Sequence, residues 1–321
     1  MIKRLGTLVL GCIVAFSTVF ALAGCATQEY QPSEKSPTVS PSVIVEQGVL
    51  RVGVTTENNT PFAGQVSGKI VGLDVDVAAA IADSLGLKLE LVDVGTDVDT
   101  ALANKQVDIV MGIEKTTTQV TCWRSEAYVE SAVALFAQPG TTDLPTSANA
   151  ATLKIAAQSS SMSAWEVRNQ FGDEALSATN DLKSAFDQLS GSRATYVAAD
   201  AVIGTYAAES SNLDVHIVGL MQNPSGYCVG VLDSNAELKK IISDTLVTLS
   251  GNGMISIIET KWLGTSLSLA DLPKTEGAKK ASTDSTTEGT GDTANAATTT
   301  PEAGSNAVQQ PETSTGNAAA A

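Results

Sequence analysis

The stretch Leu50-Arg51-Val52-Gly53-Val54 is a short, mainly apolar run of the kind that forms a buried β-strand. Residues 73–85 follow with apolar side chains at helical spacing, and Gly86 is a helix stop. A strand, a short helix and a strand continue the alternation, at residues 88–94, 98–102 and 107–111. The order strand, helix, strand, helix, strand predicts a parallel sheet with helical crossovers.

A second unit of the same kind begins after the polar tract at residues 138–152. Apolar runs of strand length again alternate with runs that carry apolar residues at helical spacing. They predict strands at residues 154–157, 195–199, 215–218 and 227–232, and helices at residues 162–171, 182–189, 201–209, 237–249 and 254–262. Residues 130–138 and 227–232 are the expected crossings between the two units. We therefore predict an α/β fold with two lobes.

The N-terminus predicts export. Lys3 and Arg4 precede an apolar segment at residues 8–21, which is too short to span a bilayer and leads into Leu22-Ala23-Gly24-Cys25. This box resembles a bacterial lipoprotein signal, and the resemblance implies that residues 1–24 are removed and that Cys25 is lipidated. An ordinary signal peptide that happens to contain a cysteine is the alternative. The lipoprotein interpretation places the protein on the extracytoplasmic face of the cell membrane.

Polar segments flank the predicted body. Residues 25–45 contain three prolines among polar residues and predict a flexible tether. Residues 274–321 are mostly small, polar or acidic and predict a disordered tail. The globular body is expected at residues 46–273, which is long enough for two lobes. A formal net charge of −16 disfavours nucleic acid and anionic lipid headgroups as partners, so the lipid itself is the expected anchor.

Two cysteines of the body bear on its redox state. Cys12 leaves with the signal and Cys25 is lipidated, which leaves Cys122 and Cys228 to face an oxidising exterior. Under these conditions we predict that the two thiols form a disulfide. Two separate buried thiols are the alternative.

Several short motifs occur along the body in a characteristic order and spacing. They are Gly48-Val49-Leu50-Arg51-Val52-Gly53, Pro61-Phe62, Gly72-Leu73-Asp74-Val75-Asp76-Val77-Ala78, residues 102–108, Asp200, and residues 253–264. Together they resemble bacterial extracellular solute-binding proteins of family 3, the group best known for amino-acid receptors of ABC importers. The resemblance implies a periplasmic-binding-protein-like fold of type II. Its lobes would be residues 46–132 with 224–273, and residues 133–223, joined by hinge strands and closing over a ligand.

The resemblance carries two polar positions over to this chain. Asp200 follows an apolar strand and matches the aspartate that holds a ligand's ammonium group in the family. Ser161 and the backbone of Met162 match a helix start that receives a ligand carboxylate. Each position also has a simpler explanation, because aspartate and serine are common helix N-caps.

Three other positions depart from the family pattern. The segment from Gly112 to Gln119 matches one wall of the ligand site, and Glu114 stands there in place of a small hydroxyl residue. Gln119 replaces the arginine that clamps an α-carboxylate, and Arg124 is the alternative clamp. Asn59 stands where relatives often stack an aromatic ring on the ligand. Phe62, three residues later, is expected to pack inside its lobe.

Glu114 and Asp200 would give the cleft two carboxylates, and no arginine stands at the position that clamps an α-carboxylate in the family. Two acids close together favour positive charge between them, so we expect a cationic or polar neutral ligand rather than an ordinary α-amino acid. The alternative for Glu114 is an outward orientation or an ion pair with Lys115 or another lysine.

These observations favour a monomeric, lipid-anchored receptor that captures a small, polar solute and delivers it to an ABC permease. A sensory or interaction protein that keeps the fold without transport is the alternative. His216 is the only histidine and lies in an apolar run, so we expect it to be structural. A single histidine excludes a histidine-based triad and disfavours a multi-histidine metal site. We therefore expect no enzyme activity, no metal and no cofactor.

Overall fold

The computed structural model describes residues 35–149 and 152–279. The predicted signal, Cys25 and residues 280–321 of the predicted tail lie outside the described residues. The strands are β1 (Val49–Val54), β2 (Gly64–Val66), β3 (Lys69–Val71), β4 (Lys88–Asp93), β5 (Ile109–Glu114), β6 (Trp123–Arg124), β7 (Val133–Ala137), β8 (Ile155–Gln158), β9 (Leu176–Thr179), β10 (Tyr196–Asp200), β11 (His216–Leu220) and β12 (Tyr227–Val231). The helices are α1 (Leu73–Ser84), α2 (Val98–Ala103), α3 (Met162–Phe171), the 3₁₀ turn Asp173–Ala175, α4 (Leu182–Ser190), α5 (Ala201–Ser210), α6 (Ala236–Gly251) and α7 (Met254–Leu263).

Lobe 1 is built on a sheet with the strand order β4-β1-β5-β12-β6. Strand β1 runs parallel to β4 and β5, which confirms the predicted parallel unit with its two crossover helices. Strand β12 returns late in the chain and pairs antiparallel with β5 and β6. Helix α1 packs its buried face, which includes Leu73, Val77 and Ile81, into the core that also holds Leu50 and Val52 of β1. Burial of these side chains explains why the opening stretch decides the fold.

Lobe 2 is built on a second sheet with the order β11-β7-β10-β8-β9. Strands β10, β8 and β9 are parallel, whereas β7 pairs antiparallel with β10 and β11. Apolar side chains cover both faces of this sheet and form two separate core clusters, one containing Phe136 and Phe186 and the other containing Leu135 and Val167. The two-lobed α/β fold is thereby confirmed.

Two adjacent chain segments join the lobes ahead of a third connection that follows Leu263, and we call residues 129–133 and 221–227 the interlobe segments. They are hydrogen-bonded to each other, because Ser225 N donates to Ser131 O at 2.8 Å and Tyr227 N donates to Val129 O at 2.9 Å. Both lie a few residues earlier than expected, because most of residues 130–138 form β7 of lobe 2 and most of residues 227–232 form β12 of lobe 1. Gly226 has a φ of 127°, and a Cβ added there would lie 2.2 Å from the Val129 carbonyl oxygen. The crossing therefore requires glycine at this position.

The N-terminal tether is shorter than the sequence predicted. Val39, Val43 and Ile44 are buried and join the lobe 1 core. The backbone is also fixed, since Thr38 N donates to Leu85 O at 3.0 Å and Val45 N donates to Asp108 Oδ1 at 2.6 Å. Three aliphatic side chains give this stretch enough apolar surface to pack, although prolines and polar residues dominate its composition.

The C-terminal boundary also differs from the prediction. Residues 264–279 leave α7 of lobe 1 and pack on lobe 2, where Leu269 is 1% exposed and shares a core cluster with Leu220. Leu220 N donates to Pro273 O, and Thr275 N donates to Leu220 O, each at 2.9 Å. The segment thus covers the edge strand β11, which would otherwise present unpaired backbone groups. The end of this segment belongs to lobe 2 rather than to lobe 1 or to the tail.

Candidate functional site

Asp200 lies where β10 ends and α5 begins, and its carboxylate accepts four hydrogen bonds. Oδ1 accepts from Val202 N at 2.9 Å and Ile203 N at 3.0 Å, which makes Asp200 the N-cap of α5. Oδ2 accepts from the hydroxyls of Ser131 at 2.6 Å and Tyr227 at 3.2 Å. Burial raises the pKa of the carboxyl, and these hydrogen bonds oppose the rise. The structure therefore gives Asp200 the capping role in full, and places it beside both interlobe segments.

Glu114 is the last residue of β5 and pairs in register with Tyr227 of β12. Its side chain is exposed, yet the surrounding protein partly desolvates the carboxyl and raises its pKa, and the charge of Asp200 raises it further. The negative charge of Asp200 thus acts on the Glu114 carboxyl from the other lobe.

Neither basic side chain of this wall neutralises the acids. Lys115 pairs with Glu126 at 2.7 Å and donates to the Ser125 carbonyl at 3.1 Å, so the alternative of a Glu114–Lys115 ion pair is not realised. The Arg124 guanidinium donates to the Thr117 carbonyl. The ion pairs of the described residues do not include Glu114 or Asp200.

Gln119 lies in the loop that connects β5 to β6, at residues 115–122. Gln119 is exposed, and its backbone N–H donates to the Thr117 hydroxyl at 3.3 Å. Arg124 holds the same loop through the Thr117 carbonyl instead of reaching toward Asp200. The predicted absence of an arginine clamp from this wall is consistent with both positions.

Ser161 and Met162 stand at the start of α3. Ser161 is the N-cap: its hydroxyl accepts from Ala164 N at 3.1 Å and donates to Gln158 O at 2.7 Å. The hydroxyl therefore uses its one proton and one of its two acceptor positions inside lobe 2. Met162 is 57% exposed, which leaves its side chain on the surface.

Asn59 and Gly112 have local structural explanations. Asn59 Nδ2 donates to Thr55 O at 2.9 Å, and the Asn59 carbonyl accepts from Phe62 N at 2.8 Å, so this residue builds the turn after β1. Gly112 has a φ of 75°, and a Cβ there would lie 2.6 Å from Asp74 Oδ2. Its glycine admits the buried Asp74 carboxylate.

Ser131 and Tyr227 are polar residues of the site that the sequence did not reveal. Tyr227 is buried, its ring centroid lies 4.1 Å from that of Phe62, and its hydroxyl reaches Asp200. Phe62 is 2% exposed, in agreement with the packing role expected for it. The one available signal was a hydroxyl residue in each predicted crossing, which is weak because serine and tyrosine are common.

The predicted Cys122–Cys228 disulfide is wrong, because both residues are buried free thiols. Strand β6 pairs Trp123 with Val231, which places Cys122 opposite the residue after Val231 and four positions from Cys228 along β12. Four strand residues span about 13 Å, whereas a disulfide needs Cα atoms within about 7 Å. Burial raises the pKa of both thiols to about 11.

Other classes of site have little support in the described residues. No group of three His, Cys, Asp or Glu side chains there could hold a metal ion. His216 is exposed at the start of β11, with Nε2 3.0 Å from the Thr141 carbonyl oxygen. No single described helix is long and apolar enough to cross a membrane, although α6 and α7, bent by 71°, meet both criteria as a pair.

Two α/β lobes joined by adjacent crossings, with polar side chains gathered where the crossings meet, define the class of hinged binding proteins. The family model of bacterial extracellular solute-binding proteins, family 3, matches residues 50–265, and the chain belongs to this family.

Solved structures of this fold agree. The L-cystine solute receptor of Neisseria gonorrhoeae in the unliganded open conformation is 23% identical, with a TM-score of 0.61 over 69% of this chain and 95% of that chain. An ancestral cationic amino acid solute-binding protein is 22% identical, with a TM-score of 0.58 over 67% and 96%. A polar amino acid ABC uptake transporter substrate-binding protein from Streptococcus thermophilus is 20% identical, with a TM-score of 0.59 over 69% and 88%.

Proposed function

We propose that this solute-binding protein captures a small cationic solute, such as a basic amino acid or an amine, between its lobes. The observation that carries the proposal is the placement of two carboxyls around Tyr227, which pairs in register with Glu114 and donates its hydroxyl to Asp200 at 3.2 Å. Neither carboxyl belongs to an ion pair among the described residues. An ammonium or guanidinium group placed between them would gain charge-assisted hydrogen bonds and relieve their repulsion. We propose a binding function without catalysis, in keeping with the family.

Replacing Glu114 tests the ligand class, because this carboxylate caps no helix and its removal leaves the fold intact. We expect L-arginine, L-lysine or putrescine to raise the melting temperature of the wild-type protein. Glu114→Gln should weaken that binding about tenfold, the cost of roughly one charge-assisted interaction. Binding should also weaken as the pH falls, because both carboxyls have raised pKa values and protonation removes their charge. Isothermal titration calorimetry at several pH values measures both effects.

Glu237→Gln is the matched control, since Glu237 is an exposed glutamate in the first turn of α6. It should leave the affinity unchanged. Tight binding of L-glutamate or L-aspartate, or equal affinities of the wild type and Glu114→Gln, would contradict the cationic assignment.

We further propose that Cys25 carries the lipid that anchors the receptor on the extracytoplasmic face of the membrane. The support is the box Leu22-Ala23-Gly24-Cys25 after a short apolar segment, together with the polar stretch that follows it. Cys25→Ala should release the exported protein from the membrane fraction into the soluble fraction. Fractionation and intact-mass measurement read out the result, and an unmodified Cys25 in the membrane-bound protein would refute the proposal.

Delivery to an ABC importer is the transport role we propose for the bound solute. Deletion of the gene should abolish uptake of the radiolabelled ligand found by calorimetry. Unchanged uptake, with the binding constant intact, would favour the sensory alternative.

A further inference from the structure

The Asp200 carboxylate has no free acceptor position in this structure. A carboxylate offers about four lone-pair sites. Two backbone amides of α5 occupy Oδ1, and two hydroxyls occupy Oδ2. A ligand cation that binds Asp200 must therefore displace one of these donors. The amides are fixed within the first turn of α5, so the hydroxyls are the donors that can leave.

The two hydroxyls come from the two different interlobe segments. Ser131 lies just before β7 and is 3% exposed, and Tyr227 is the first residue of β12 and is 7% exposed. The same segments are joined by the hydrogen bond from Ser225 N to Ser131 O at 2.8 Å. Oδ2 of Asp200 is thus the point where lobe 2 is attached to both crossings by side-chain hydrogen bonds.

Tyr227 also connects this point to lobe 1. Its ring packs against Phe62 with centroids 4.1 Å apart, and its backbone pairs with Glu114. Movement of the Tyr227 hydroxyl away from Asp200 therefore changes the contact between lobe 2 and the wall that carries Glu114.

We propose that Ser131 and Tyr227 are positioning residues that couple cation capture at Asp200 to movement of the lobes. This inference rests on the cationic ligand proposed above. Without ligand, their hydroxyls occupy Oδ2 and hold the lobes in the arrangement described. A cation takes over at least one of these positions and frees the interlobe segment that supplied the hydroxyl. Specificity follows as well, because a neutral donor gains less than a cation from replacing a hydroxyl on a carboxylate.

The first experiment needs no ligand. Spin labels at the exposed positions Ser84→Cys in lobe 1 and Ser190→Cys in lobe 2 report the interlobe distance by double electron–electron resonance. The full chain carries Cys12→Ser and Cys25→Ser, while the two buried thiols, with pKa values of about 11, react slowly. The double variant Ser131→Ala with Tyr227→Phe should shift or broaden the distance distribution of the unliganded protein.

Tyr196→Phe is the control for loss of a tyrosine hydroxyl away from the crossings. The Tyr196 hydroxyl donates to the Asp143 carbonyl at 2.7 Å within lobe 2, so its loss should leave the distances unchanged. A double variant with the same distances as the wild type and Tyr196→Phe would overturn the coupling.

The second experiment measures affinity for L-arginine, L-lysine and putrescine. Tyr227→Phe removes one of the two hydroxyls that compete with the cation for Oδ2, so binding should tighten about tenfold, the value of roughly one hydrogen bond to a charged group. Unchanged affinity would overturn the displacement step. If none of the three probes binds the wild type, the cationic ligand is refuted, while the unliganded distances still decide whether the two hydroxyls hold the lobes in place. If the probes bind but neither affinity nor distance responds, the coupling fails and the ligand class stands.

Discussion

Gly226→Ala is expected to destabilise the protein by on the order of 4 kcal/mol or more, close to the largest effects that single substitutions produce. The added methyl group would lie 2.2 Å from the Val129 carbonyl oxygen and 2.9 Å from the Glu130 Cα. These are backbone atoms, so relief requires the interlobe segments to separate. That separation breaks the hydrogen bond from Tyr227 N to Val129 O and disturbs Tyr227 above Asp200.

Substitutions at two other glycines distinguish the stability cost of steric overlap from that of backbone strain. Gly253 has a φ of 81° with open space around its Cβ position, so Gly253→Ala should cost only about 1 kcal/mol from the left-handed backbone. Gly251 ends α6, has ordinary φ and open space, and Gly251→Ala should change stability by less than about 1 kcal/mol. Urea unfolding of the three variants tests the order. A Gly226→Ala variant no less stable than Gly253→Ala would show that the crossing tolerates a side chain.

The fold was largely predictable because its determinants are local. The apolar runs of β1 and β5 and the helical spacing of α1 are visible in the sequence, and each is buried as predicted. Shorter elements escaped: the hairpin of β2 and β3, the two-residue β6 and the four-residue β9 are too short to show a period. The N-terminal tether was misjudged for another reason, because its average composition hid isolated aliphatic residues such as Val43.

The candidate site was only half predictable. Asp200 and Ser161 were found because a strand end followed by a helix start is a local pattern, and the same pattern explains why both are caps. Their partners are not local. Ser131 lies 69 residues before Asp200 and Tyr227 lies 27 residues after it, so their hydrogen bonds depend on how two sheets are joined. The Cys122–Cys228 prediction failed similarly, since strand register, invisible in cysteine counts, keeps the thiols apart.

Asp74→Asn is expected to remove a pH dependence of folding worth roughly 4 kcal/mol. Asp74 is fully buried in lobe 1, its Oδ1 accepts from the Tyr128 hydroxyl, and its Oδ2 has no hydrogen-bond partner among the described residues. Burial raises its pKa from 3.8 to about 7, and the bond from Tyr128 opposes the rise only in part. Burial raises the pKa of Tyr128 well above its usual range, so this neighbour stays neutral.

The direction of the pH dependence of folding stability follows from proton binding to Asp74. Between pH 4 and pH 7 the folded protein keeps the Asp74 proton while the unfolded chain releases it, so stability falls as the pH rises. The loss is complete above the folded pKa of about 7. Each pKa unit is worth about 1.4 kcal/mol, so a shift from 3.8 to about 7 corresponds to roughly 4 kcal/mol. Asparagine has the same shape and no charge, so the variant avoids this loss at pH 8.

Urea unfolding of wild type and Asp74→Asn at pH 4, 5, 6, 7 and 8 measures the effect. The unfolding free energy of Asp74→Asn should rise relative to that of the wild type as the pH rises, because only the wild type loses the stability linked to the Asp74 proton. The other buried acids contribute equally to both proteins. Asp83→Asn, at an exposed position of the same helix, should follow the wild-type curve. Parallel curves for wild type and Asp74→Asn would mean that Asp74 is ionised throughout. The buried carboxylate would then carry its charge although Oδ2 has no hydrogen-bond partner among the described residues, and this makes the pH series decisive.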